Sequence, residues 1–83
     1  MFINKASDGS NNICGKNISI FRKEMKISQR QFADLLQLNG LDIDKNAIQR
    51  IESGQRFVTD IEVIVISKVL NKTYSEILDT NKK

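Results

Sequence analysis

Lys45, Asn46, Gln49 and Arg50 are the side-chain types that fork onto the edges of base pairs. Arg and Lys donate to guanine, while Asn and Gln pair with the donor and acceptor of adenine. If the segment is helical, the spacing i, i+1, i+4, i+5 gathers all four on one side, away from a stripe made by Ile48 and Ile51. A solvated polar face is the plainer reading of the same residues, although such a face more often shows Glu and Lys pairs.

Other chemistries have little to work with. The chain has no His and a single Cys, so His-centred acid/base catalysis, a disulfide framework and a Cys/His zinc cluster are all absent. The acidic residues are scattered as caps and surface charges, with no pair placed for general acid/base work. Cys14 reads as an inert small residue or a half-exposed thiol, with no second Cys or basic surroundings to make it a redox sensor. No catalytic residue, metal, cofactor or small-molecule site is expected. Lys and Arg number 13 against 10 Asp and Glu, a net +3 that permits nucleic-acid binding without demanding it. The surplus sits in the first thirty residues, where Lys5, Lys16, Arg22, Lys23, Lys26 and Arg30 face only Asp8 and Glu24. The longest apolar run, Val63 to Ile66, falls far short of the ~20 residues of a membrane span, so a soluble, cytoplasmic protein is expected.

The elements that must position the polar face are marked by caps. Residues 1–14 read as a flexible arm, with turn chemistry from Asp8 to Asn12. From Gly15 to Met25 the apolar residues Ile18, Phe21 and Met25 share one helical face. Ser28 and Gln31 form a capping box, with Ile27 and Phe32 at staple positions, so a second helix starts at Gln29. It carries Phe32, Ala33, Leu35, Leu36 and Leu38 and ends near Asn39, with Gly40 as a left-handed cap that lets Leu41 fold back on Leu36. Asp44 caps a third helix, Lys45 to about Glu52, which stops at Gly54. Thr59 and Glu62 box a fourth helix to Leu70, outvoting the strand propensity of Val63-Ile64-Val65-Ile66, with Asn71 as its left-handed cap. Thr73 and Glu76 open a short fifth helix through Tyr74, Ile77 and Leu78.

These elements predict an all-α, compact five-helix bundle over residues 15–79, followed by a tail at 80–83. A domain of 83 residues buries only about 60 to 65 % of its unfolded surface, so dense packing or a second subunit must support it. The fourth helix is apolar nearly all round. Val63, Ile66 and Leu70 suffice for a core, and Ile61, Val65 and Val69 form a second stripe that is either buried too or a dimer face.

Two helices joined by a short Gly-containing turn can present the second to a DNA major groove. The segment Gly15 to Leu78 resembles the lambda-repressor-like (Xre-type) helix-turn-helix proteins of bacteria and phages. The resemblance rests on Ile18-x-x-Phe21-Arg22, Ser28-Gln29-x-Gln31-Phe32-Ala33, Ala47-Ile48-x-x-Ile51-Glu52-Ser53-Gly54 and Ile66-Ser67-x-x-Leu70. It implies a dimeric DNA-binding domain with base-reading positions at Lys45, Asn46 and Arg50, and Gln49 as a less regular contributor. It also implies phosphate contacts from Gln29, where the helix N-terminus adds donors, and from Ser53, Gln55 and Arg56. Arg22 and Glu52 match a pair that bridges the first and third helices, and Arg22 is also placed to touch phosphate. Two departures stand out. Position 26, often Gly in the family, is Lys, so either it takes a left-handed conformation or the turn differs. The spacing from Gln29 to Glu52 is also longer than in compact members. The expected function is a sequence-specific transcriptional regulator, a repressor occupying an operator in double-stranded DNA as a homodimer, with recognition helices about 34 Å apart. The alternative is a protein-interaction module, such as an antitoxin-like autoregulator whose main partner is a protein.

Overall fold

Side-chain caps set the start of every helix after the first in the computed structural model, which describes residues 9–79. The order is α1 (Gly15–Glu24), α2 (Gln29–Leu38), α3 (Lys45–Glu52), α4 (Asp60–Leu70) and α5 (Tyr74–Ile77), with no strand among the described residues. Ser28, Thr59 and Thr73 each accept from the backbone N–H three residues on. Gln31, Glu62 and Glu76 return the bond, so all three expected capping boxes form. Asp44 accepts from the Ala47 N–H and starts α3. The caps prevail over the β-branched run in α4, because each removes orphan donors that a strand would leave to other partners.

The helix ends follow the same local rules. After α2, the Leu41 N–H donates to Leu36 O and the Gly40 N–H to Gln37 O, with Gly40 at φ 89°. This is the expected left-handed termination. Asn71 ends α4 at φ 56°. Lys26, at φ 60°, carries the left-handed turn between α1 and α2 with a β-carbon in place. That conformation costs an L-residue roughly 1–2 kcal/mol, part of which glycine returns as unfolded-chain entropy. Lys26→Gly is therefore expected to stabilise the fold by about 1 kcal/mol, read as a rise in the urea midpoint at unchanged slope.

The core is a single cluster in which Ile18, Phe21, Phe32, Leu36, Ile48, Ile51, Ile66 and Ile77 are fully buried. Met25, expected on the inner face of α1, falls outside it, as do the apolar Leu35 and Leu38 of α2. Met25 is the C-cap of α1, past the last full turn, and is 41 % exposed. Leu38 is 82 % exposed because the inward face of α2 is set by Phe32, Ala33 and Leu36, and Leu38 lies on the opposite side of the helix. In α4, Ile66 and Leu70 point inward and Val63, Val65 and Val69 pack half-buried against the core. The second stripe is thus divided, with Val65 and Val69 drawn inward while Ile61 is exposed together with Ile64.

Two buried groups and a half-buried lysine serve the frame. Asn17 donates its amide to Ile77 O at 3.0 Å and Asp79 O at 2.8 Å, tying α5 to α1. Lys72 lies over the Phe21 ring, 4.7 Å from its centroid, a cation–π contact at the α4–α5 link. Cys14 is buried, and loss of solvent pushes its thiol up to about 11, so it stays protonated and unreactive at neutral pH. Of the expected arm, residues 1–8 lie outside the described residues, as does the tail at 80–83. Among the described residues no helix is long and apolar enough to cross a membrane, and no acidic, His or Cys cluster could hold a metal ion.

Candidate nucleic-acid interface

Helix α3 is two turns long, and its inner side is fixed by Ala47, Ile48 and Ile51. Packing those three against the core leaves Lys45, Asn46, Gln49 and Arg50 on the outside, all exposed. None of the four side chains bonds to a described residue, so all their donors and acceptors remain available to a ligand. A shallow groove along this face is lined by Asn46, Gln49, Arg50, Ser53 and Gln55. A second groove, between α2 and α3, is lined by Arg30, Asp34, Gln37, Lys45 and Asn46 among others. Arg30 was not among the expected site residues. Its place on the exposed side of α2 puts a further cation at the edge of the outer face of α3, which helical periodicity alone could have indicated.

A buried brace holds α3 against the first two helices. Arg22 donates from Nε to Glu52 Oε2 at 2.6 Å and from Nη2 to Oε1 at 3.0 Å, and its Nη1 reaches Ile27 O at 2.7 Å. The side chains are only 10 % and 8 % exposed. Gln29 donates to the same Glu52 Oε1 at 3.0 Å. The family-implied phosphate position at the start of α2 is thus engaged inside the protein: Gln29 closes a three-residue network that joins α1, α2 and α3. The fork of Arg22 is likewise engaged within the fold, with three of its five N–H donors bonded.

Arg56 is likewise engaged within the protein. Its guanidinium meets both oxygens of Glu62, at 3.1 and 3.0 Å, and so ties the segment after α3 to the first turn of α4. Burial pushes the Glu62 carboxyl up, but hydrogen bonds from Arg56 and the Thr59 backbone, the Arg56 charge and the Thr59 hydroxyl outweigh it. The net effect is a carboxyl held below its ordinary range. Ser53 and Gln55 remain exposed beside α3, with the Ser53 hydroxyl donating to Arg50 O at 3.2 Å.

The turn that carries these residues is closed from both sides. Within it, the Gly54 N–H donates to Ile51 O and the Gln55 N–H to Arg50 O, with Gly54 at φ 83°. From the far end of the sequence, the Asn11 N–H donates to Gly54 O at 2.7 Å and its side-chain amide to Gln55 O at 2.7 Å. The Asn12 amide donates to Ile51 O at 3.1 Å and Arg56 O at 2.7 Å, while its oxygen accepts from the Gly15 N–H at 2.8 Å. Sequence reasoning saw turn formers here, and no local pattern reveals a contact across about forty residues.

A model of the helix-turn-helix family matches residues 18–77. Among solved structures, the restriction-modification controller protein C.AhdI from Aeromonas hydrophila is similar at a TM-score of 0.66 and 22 % identity. That match covers 76 % of this chain and 84 % of the controller. The P22 c2 repressor protein, solved in complex with a synthetic operator, aligns at a TM-score of 0.70 and 20 % identity, covering 84 % of this chain and 98 % of the repressor. No curated protein matches the chain.

Proposed function

Since the chain belongs to the helix-turn-helix family, of the lambda-repressor-like kind, we propose that it is a sequence-specific DNA-binding transcriptional regulator that reads the major groove with α3. The observation that carries this reading is the outer face of α3, where the side chains of Lys45, Asn46, Gln49 and Arg50 stand exposed on a braced, two-turn helix with no partner among the described residues. Arg50 and Lys45 suit guanine, and Asn46 and Gln49 suit adenine. Ser53 and Gln55 lie beside them and serve the phosphate backbone, which sets register on the duplex. The operator-bound repressor of similar fold supports the same reading. Repression then follows by occupying DNA that the transcription machinery needs.

A second copy completes the reader. Asp60, Ile61, Ile64 and Lys68 are all exposed on the outward face of α4. They fall within about 100° of arc on the helix. Two such faces packed antiparallel about Ile64 set Asp60 of one copy opposite Lys68 of the other, twice, around an apolar centre, which is the self-complementarity that a two-fold dimer requires. The same surface also suits a protein partner, which is the competing reading.

Selection of random duplex DNA by the purified protein, with Asn46→Ala/Arg50→Ala alongside and salt titrated, is the deciding experiment. An inverted-repeat consensus is expected, and the double variant, still folded, is expected to lose about 1–3 kcal/mol per bidentate contact and the sequence preference with it. Salt-sensitive, sequence-blind binding by the parent protein would overturn the proposal and shift specificity to a partner on the α4 face.

A further inference from the structure

We propose that Asn11 and Asn12 are positioning residues for DNA binding, forming a strap that fixes the C-terminal turn of α3 so that Ser53 and Gln55 meet the phosphate backbone in register with the base-reading side chains. The inference rests on the DNA-reading role argued above and adds a determinant outside residues 18–77, the part of the chain that matches the family.

The geometry is that of a built clamp. Helix α3 ends in carbonyls that its own backbone cannot satisfy, as every helix does. The strap reaches one of its last carbonyls, Ile51 O, which also accepts from the Gly54 N–H, and continues past the helix to Gly54 O, Gln55 O and Arg56 O, four carbonyls within six residues. Asn12 also supplies what α1 lacks. Cys14 offers α1 no side-chain cap, and the Asn12 oxygen takes the Gly15 N–H in its place. One amide therefore joins the start of α1 to the end of α3. Close packing confirms the fit, because a β-carbon on Gly54 would stand 2.8 Å from the Ser10 hydroxyl oxygen.

The turn needs this help. Ile51 is the last buried residue of α3, and Gly54 and Gln55 lie beyond the reach of the core cluster. Without the strap, the backbone between Ser53 and Arg56 is held by its own turn bonds and by the Arg56–Glu62 pair alone. A contact to phosphate repays its ordering cost only when the donor is already in place, so a loosened turn weakens binding while leaving the base code untouched.

The test compares Asn11→Ala/Asn12→Ser with Thr73→Ala. The serine keeps an oxygen for Gly15 N–H but has no amide to give the carbonyls, and Thr73→Ala removes a cap of similar worth on α5, away from α3. Dissociation constants are measured on the duplex selected by the parent protein, at a temperature where all variants are folded, with amide exchange at Gln55 and Arg56 followed in parallel. The strap variant is expected to bind about tenfold more weakly with the same selected sequence, and Thr73→Ala to stay within about twofold of the parent. Exchange at Gln55 and Arg56 is expected to accelerate only in the strap variant. Equal affinity in the strap variant, or an equal loss in Thr73→Ala, overturns the strap alone. A parent protein that selects no sequence overturns the DNA-reading role and the strap's part in it together.

Discussion

Replacing Glu52 with Ala is expected to destabilise the protein by about 3–5 kcal/mol, enough to consume most of the stability of a domain this small. The carboxylate is 8 % exposed and accepts two bonds from Arg22 and one from Gln29. Its removal leaves the Arg22 guanidinium, itself 10 % exposed, with Ile27 O as its one remaining partner. The large loss measures an orphaned buried charge and not the net value of the pair, because desolving two ions offsets most of their attraction. Removing both partners together, as Arg22→Met/Glu52→Leu, is therefore expected to cost far less than the two single changes summed. Urea unfolding of the four proteins closes the cycle, and additive losses would refute the account.

Gly15→Ala is expected to destabilise by about 2–3 kcal/mol, although alanine in place of a helical glycine ordinarily stabilises by up to about 1 kcal/mol. The sign reverses for lack of space. A β-carbon at position 15 would stand 2.1 Å from Ile51 O and 2.8 Å from the Asn12 side-chain oxygen. Asn12 can swing aside, but Ile51 O belongs to the backbone of α3, so relief requires the first and third helices to separate. A fall in melting temperature of about 10–20 °C is the expected reading, and a rise would show that the helices already stand further apart.

Both predictions turn on contacts that the sequence carries weakly, while the elements themselves were plain to read. Ser28, Asp44, Thr59 and Thr73 act on backbone donors three residues away, so their roles lie within one short window of sequence. The exposed face of α3 followed from the period of Ile48 and Ile51. What escaped was competition for side chains. Gln29 and Arg56 are the right types for phosphate, yet Glu52 and Glu62 stand within 3.0 Å of them once the helices pack. Only the tertiary arrangement reveals that. Met25 was misplaced for a simpler reason: it lies at a helix end, where apolar character no longer implies the inward face. Asn11, Asn12 and Asn17 each act across 39 residues or more, beyond any local pattern.

The bond from Asn17 to Ile77 and Asp79 also bears on the order in which the domain is completed during synthesis. By residue 56 a nascent chain holds every side chain proposed to touch DNA. Yet the apolar socket filled by Ile77 stays open and a buried amide lacks its acceptors until about twenty more residues have left the ribosome. A helix of four residues cannot form ahead of its docking site, so α5 closes last and locks what precedes it. A polypeptide stalled short of position 77 therefore carries the exposed face of α3 on a frame that still lacks Ile77 and the acceptors of the Asn17 amide.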